Sequence, residues 1–92
     1  MIQSFRCPDT QALYEGRHPK RFRAIEPVAT RKLATLDVTK TLEFLRSPPG
    51  NHLEALKGKR AGKWSIHIND QWRLCFVWTG AGPADVEIVD YH

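Results

Sequence analysis

Apolar and polar residues alternate through the second half of the chain. In Trp64-Ser65-Ile66-His67-Ile68 every other side chain is apolar, which predicts a half-buried strand. Asn69-Asp70 is the dipeptide of a two-residue hairpin turn. The run Gln71 to Trp78 follows, with Trp72, Leu74, Phe76 and Trp78 on one face and Arg73, Cys75 and Val77 on the other. Gly80 to Pro83 predicts a second turn and Ala84 to Val89 a last strand.

The first half has a helical period. Ile25, Ala29, Leu33 and Leu36 recur at spacings of four and three residues, an apolar stripe from which Arg31 and Lys32 are displaced. Pro27 suits the first turn of that helix. Ile2 to Phe5 predicts a short strand, and Asp9 a cap for a helix over Thr10 to Glu15, stopped at Gly16. Thr39 to Arg46 predicts another short helix, with Leu42 and Leu45 inward, broken by Ser47-Pro48-Pro49-Gly50. The class is α+β: one strand, two or three helices, then three strands. The helices must cover the tryptophan face, because no other segment can shield it. The face carrying Arg73 is left partly open.

The 92 residues suit one domain spanning 1–92. A domain of this size buries only about two-thirds of its unfolded surface, so its stability margin is thin. A hydrophobic fraction of 41% with three tryptophans argues against disorder. The formal charge of +4 implies attraction to phosphates or to an acidic protein. Cys7 and Cys75 make no secreted disulfide framework, and Cys75 reads as a small buried hydrophobe. No signal peptide or membrane span is visible, so a cytoplasmic location is the expectation. No zinc spacing, phosphate loop, dinucleotide fingerprint or nucleophile elbow occurs, and neither metal nor cofactor is expected.

Several short motifs stand in a fixed order. Leu56-Lys57-Gly58 precedes Gly62-Lys63-Trp64-Ser65-Ile66; Trp72-Arg73-Leu74 and Asp90-Tyr91-His92 follow. This series closely resembles the HigB toxins of the RelE/ParE superfamily, over nearly the whole chain and including Pro48-Pro49-Gly50. The resemblance implies a RelE-like β-α-α-β-β-β fold with an antiparallel-dominated sheet and helices packed on one face. It implies a toxin that cuts messenger RNA held in the ribosomal decoding site, inhibiting translation and arresting growth. It also implies a helix-turn-helix antitoxin of the HigA kind, through which alone the complex would reach operator DNA.

RNA cleavage without a metal uses the substrate's own 2′-hydroxyl. The protein takes one proton, gives another, and neutralises charge on the phosphorane. His92 is the first candidate for acid or base: its intrinsic pKa is near neutrality, similar toxins keep a terminal His at this motif, and its own carboxylate favours protonation. A frayed terminal residue is the plain alternative. Tyr91 suits base stacking, phosphate binding or ordinary packing on the sheet. Asp90 suits proton acceptance, orientation of His92 or Arg73, or a plain surface role. Arg73 is the candidate phosphate ligand, against a reading as a strand Arg paired with Asp85 or Glu87.

Lys57, Lys59, Arg60 and Lys63 form a basic run without an acid. Lys57 is a candidate for transition-state stabilisation and the others for holding RNA backbone, though such runs are also commonly solvated faces. Some HigB chains carry a catalytic His just before Leu-Lys-Gly; here Glu54 stands there and His52 lies two residues earlier. Either His52 reaches the site from its loop, or the chain works without that group. His67 borders the open face as a weaker candidate, and His18 has no evident chemical partner. The stretch Arg17 to Lys32, with Arg21 and Arg23, holds six Lys or Arg against Glu26. It reads as a ribosomal RNA contact or an antitoxin-facing surface. Two other functions fit the same fold: a ParE-like, non-enzymatic inhibitor of DNA gyrase, and an RNA-binding relative that does not cleave.

Overall fold

A four-stranded antiparallel sheet carries two helices on one face, in a computed structural model that describes residues 1–47 and 49–90. The elements are α1 (Pro8–Tyr14), α2 (Glu26–Val38), β1 (Glu54–Ala55), β2 (Trp64–His67), β3 (Trp72–Thr79) and β4 (Gly82–Asp90). The strands lie side by side in chain order. The α+β class and the antiparallel sheet with helices on one face are therefore the observed ones, while the expected order β-α-α-β-β-β is found as two helices followed by four strands.

The core forms where the two periodicities meet. Ala29, Leu33 and Leu36 of α2, with Ile25 before it, pack on Ile66, Leu74, Phe76, Val86 and Ile88 of the sheet. Trp64, Trp72 and Trp78 are half-buried around this centre, as the alternation requires. Phe22, fully buried, meets the Trp72 ring edge-on at 5.6 Å between centroids. Among the described residues no helix is long and apolar enough to cross a membrane.

Local chemistry explains each departure from the expected elements. α1 starts at Pro8, so Asp9 sits inside its first turn and Cys7 is the capping residue. Gly16, at φ 91°, closes the helix as expected, with the Arg17 amide bonded to the Ala12 carbonyl. The expected strand at Ile2 to Phe5 survives as a single parallel bridge, Phe5 to Val86. The segment does run beside β4, with amide bonds Gln3 to Pro83, Val86 to Ser4 and Arg6 to Val86. A bulge in β4 prevents a regular ladder: the register slips between Cys75 and Val77, and Asp85 is held at φ 50°.

The segment 39–46 forms only a 3₁₀ turn, Leu42–Arg46, capped by the Thr41 hydroxyl, which accepts from the Phe44 amide. Ser47 precedes a proline and is extended (φ −119°, ψ 136°), which leaves too few residues to nucleate an α-helix. Leu45 is nonetheless buried and Leu42 packs against the core, as expected. The β2–β3 connection is wider than a two-residue turn. Its first strand pair is His67–Arg73, and Asn69 Oδ1 accepts from the amides of Gln71 and Trp72, both at 2.8 Å. A type I′ turn wants glycine second, and Asp70 stands there instead. Strand β1, unforeseen in the sequence, pairs Glu54 with Ser65 and Ala55 with Trp64.

Candidate functional site

The open face of the sheet gathers one side chain from each strand around Arg73. Side chains directly opposite in an antiparallel pair share a face. Arg73 lies between His67 of β2 and Val89 of β4; Cys75 lies between Ser65 and Glu87. Arg73 Nη1 donates to Glu54 Oε1 of β1 at 3.3 Å. The sequence offered Asp85 or Glu87 as its partner. Asp85 instead accepts from Ser4, and Glu87 pairs with Arg6 at 3.4 Å.

A chain of contacts leads from α2 to this cluster. Lys32 donates to Asn51 Oδ1, and the buried Asn51 amide donates to the carbonyls of Leu45 (3.2 Å) and Ser47 (3.4 Å). Burial, then the neighbouring Arg31, pulls the Lys32 pKa down. With Asn51 fixed, His52 adopts φ 46°, a left-handed conformation that tight anchoring must hold. Its ring lies 5.0 Å from that of His67, centroid to centroid, at 44°. His67 Nε2 is 3.7 Å from Asp70 Oδ1. Burial is the largest cause lowering the His67 pKa; Arg73, His52 and Lys32 add to it, and Asp70 opposes.

Arg60 and Lys63 lie close enough to the middle of the same face to act on the Cys75 thiol. Burial raises the pKa of that thiol, while the nearby Arg60 and Lys63 pull the other way. Ser65, fully buried beneath this layer, has no hydrogen-bond partner for its Oγ.

The remaining candidates are dispersed. The Leu56 amide bonds the Lys63 carbonyl, so Lys57 follows at the far end of the β1–β2 ladder. By register that is five positions from His67 and Arg73, about 16 Å along the strands. Lys57 and Lys59 are both exposed there. Asp90 lies opposite Trp72, one position out of phase with Arg73, and accepts from Gln71 Nε2 at 3.1 Å. Tyr91 and His92 lie outside the described residues.

Arg21 sits on the helix side, 5.1 Å from the Phe22 ring centroid and 5.9 Å from that of Trp72, with Asp9 at 3.9 Å. Arg23 is exposed in the 3₁₀ turn Lys20–Ile25. His18, which had no evident partner in the sequence, bonds Glu26 at 2.7 Å. Among the described residues, no group of three or more His, Cys, Asp and Glu side chains is placed to hold a metal.

Sequence reasoning missed Glu54 as the Arg73 partner, because β1 is too short to show a period. His67, the weaker candidate of the sequence, lies directly opposite Arg73 on the same face, as the alternation implied.

Two solved structures share this architecture over 98% of the chain and 91% of their own. They are YafQ from E. coli, with a TM-score of 0.61 at 18% identity, and a histidine-to-glutamine mutant of YafQ, with 0.64 at 15%. At that identity the likeness concerns the fold alone. The sequence carries the family. The model describing RelE-like toxins of the type II toxin–antitoxin system HigB matches residues 4–92. Toxin HigB-1 of Vibrio cholerae serotype O1 is 44% identical over 80 residues, 85% of this chain and 84% of that protein. An uncharacterized protein of Haemophilus influenzae is 38% identical over 63 residues, 68% and 62% of the two chains.

Fold and sequence together thus define a RelE-like toxin of a type II toxin–antitoxin system. Within that class, the chain belongs to the HigB family. A toxin of such a system has an antitoxin partner.

Proposed function

We propose that this toxin is a ribosome-dependent endoribonuclease that cleaves messenger RNA in the cytoplasm. The observation that carries the reading is Arg73: an always-charged guanidinium, its side chain 19% exposed, on the sheet face away from the helices, level with the end of β4 and directly opposite His67, whose ring His52 approaches. The reaction starts when the 2′-hydroxyl loses its proton and its oxygen attacks the adjacent phosphorus. The phosphorane gains charge, which Arg73 neutralises through its planar fork. The bond to the 5′-oxygen then breaks and a cyclic phosphate remains.

His92 is assigned the protonation of the leaving oxygen. Asp90 orients it, and Tyr91 stacks on a base. Arg60 and Lys63 hold the RNA backbone over the sheet, while Lys57 and Lys59 extend that contact along the ladder. Arg21 and Arg23 contact ribosomal RNA on the other side. The antitoxin is of the HigA helix-turn-helix kind, and operator DNA is reached only in complex with it.

Arg73→Ala tests this reading. Primer extension on a translated message should show new ends with the wild-type chain. The variant should cut at least about 10²-fold more slowly, the cost of removing one preorganised charge donor from such a site. Equal cleavage by both chains would refute the assignment. Intact messages with broken DNA would replace the reading by gyrase inhibition.

A further inference from the structure

His67 occupies a position whose geometry has a use in the proposed reaction, on which the following rests. It is directly opposite Arg73 on the neighbouring strand and the same face. Cβ atoms in such pairs are about 5 Å apart. A phosphate held by the Arg73 guanidinium therefore presents its attached ribose to the His67 ring. The ring is half-buried, its side chain 19% exposed, so one edge meets solvent while the rest is packed.

We infer that His67 is the proton acceptor for the 2′-hydroxyl and that His52, whose tilted ring packs against it, is the residue that positions its ring. The neutral His67 imidazole takes the proton and becomes imidazolium. The 2′-oxygen forms its bond to phosphorus, the phosphorus–O5′ bond breaks, and O5′ takes a proton from the acid assigned to His92. The new imidazolium faces the Asp70 carboxylate, 3.7 Å from Nε2, and returns its proton to water.

The surroundings keep the imidazole ready to accept. Among the described residues, the charged or titratable groups acting on it are Arg73 from β3, Lys32 from α2, His52 from the loop before β1, and Asp70 from the hairpin. Three of the four disfavour a second positive charge, and burial does so most. His67 therefore stays unprotonated at pH 7, as a general base must. His52 is held by an anchored loop at positive φ, which fixes its tilted contact with the His67 ring.

The test is single-turnover cleavage of a message on programmed ribosomes, measured as a function of pH. The wild-type rate should fall on the acid side with a midpoint below 6.5, the ordinary histidine value. His67→Gln, which keeps the volume, should lose about 10²- to 10⁴-fold in rate, the usual contribution of a general base, and lose the acid limb. His52→Ala should keep most of the plateau rate. Its acid limb should move up toward 6.5, because the variant removes both a repelling imidazole and part of the cover.

An active His67→Gln with an unchanged acid limb would overturn the assignment. So would an unshifted limb in His52→Ala, which also decides the matter if His67→Gln does not fold. A wild-type chain that leaves messages intact would instead remove the endoribonuclease reading on which this stands.

Discussion

Cys7 and Cys75 differ in what surrounds their sulfur. Cys75 is 1% exposed, and burial raises its thiol pKa despite Arg60 and Lys63 nearby. Cys7 is half-buried beside the Arg21 guanidinium, 3.8 Å from Nη1. Maleimide labelling of the native protein at pH 7.5 should modify Cys7 alone, and both thiols only after unfolding; native modification of Cys75 would show that the Arg73 face is not covered as described. Glu54 makes a second residue-level prediction. Its side chain is 56% exposed, so Glu54→Gln should change stability by less than about 1 kcal/mol. The same substitution removes one carboxylate that competes with RNA phosphate for the Arg73 guanidinium, and cleavage should rise. A tenfold fall would mean that Glu54 takes part in the chemistry. At this scale the sequence was informative for residues on long, regular strands. Arg73 and His67 follow from alternation, and Cys75 from its apolar run. Glu54 and Asn51 could not be read, because their roles arise from contacts with β3 and α2 that no local period announces.

Helix α2 and strand β3 are the elements whose period is complete, and both were legible almost to their ends. The elements that changed identity are those where one local feature outweighs pattern. A pre-proline residue limits 39–46 to a single 3₁₀ turn, and the Asp85 bulge reduces the first strand to one bridge. Gly82 ties these effects together, because β4 and the N-terminal segment meet there. It sits at φ 135°, and an added Cβ would collide with the Met1 carbonyl oxygen. Gly82→Ala should therefore destabilise the protein by about 1–3 kcal/mol in denaturant unfolding, the cost of backbone strain at such a position. Gly80 has open space around its Cα and an ordinary φ, so Gly80→Ala should stay within about 0.5 kcal/mol. Equal effects at the two glycines would mean that the N-terminal segment does not lie against β4.

The whole molecule separates two kinds of basic surface, which its net charge of +4 does not distinguish. Much of the stretch from Arg17 to Lys32 is engaged within the chain, with Arg17 on Glu15, His18 on Glu26, Arg21 on Asp9 and Lys32 on Asn51. The sheet face instead carries Arg73 opposite His67, with Arg60 and Lys63 near Cys75 further along it, the arrangement on which the proposed cleavage relies. The most direct test of that claim is mapping RNA 5′ ends across the transcriptome after brief induction. The wild-type chain should be compared with Arg73→Ala and with a chain ending at Asp90. New ends inside translated frames for the wild type, absent from both variants, are the predicted result. The same ends in all three, or none in the wild type alongside DNA breaks, would contradict the account.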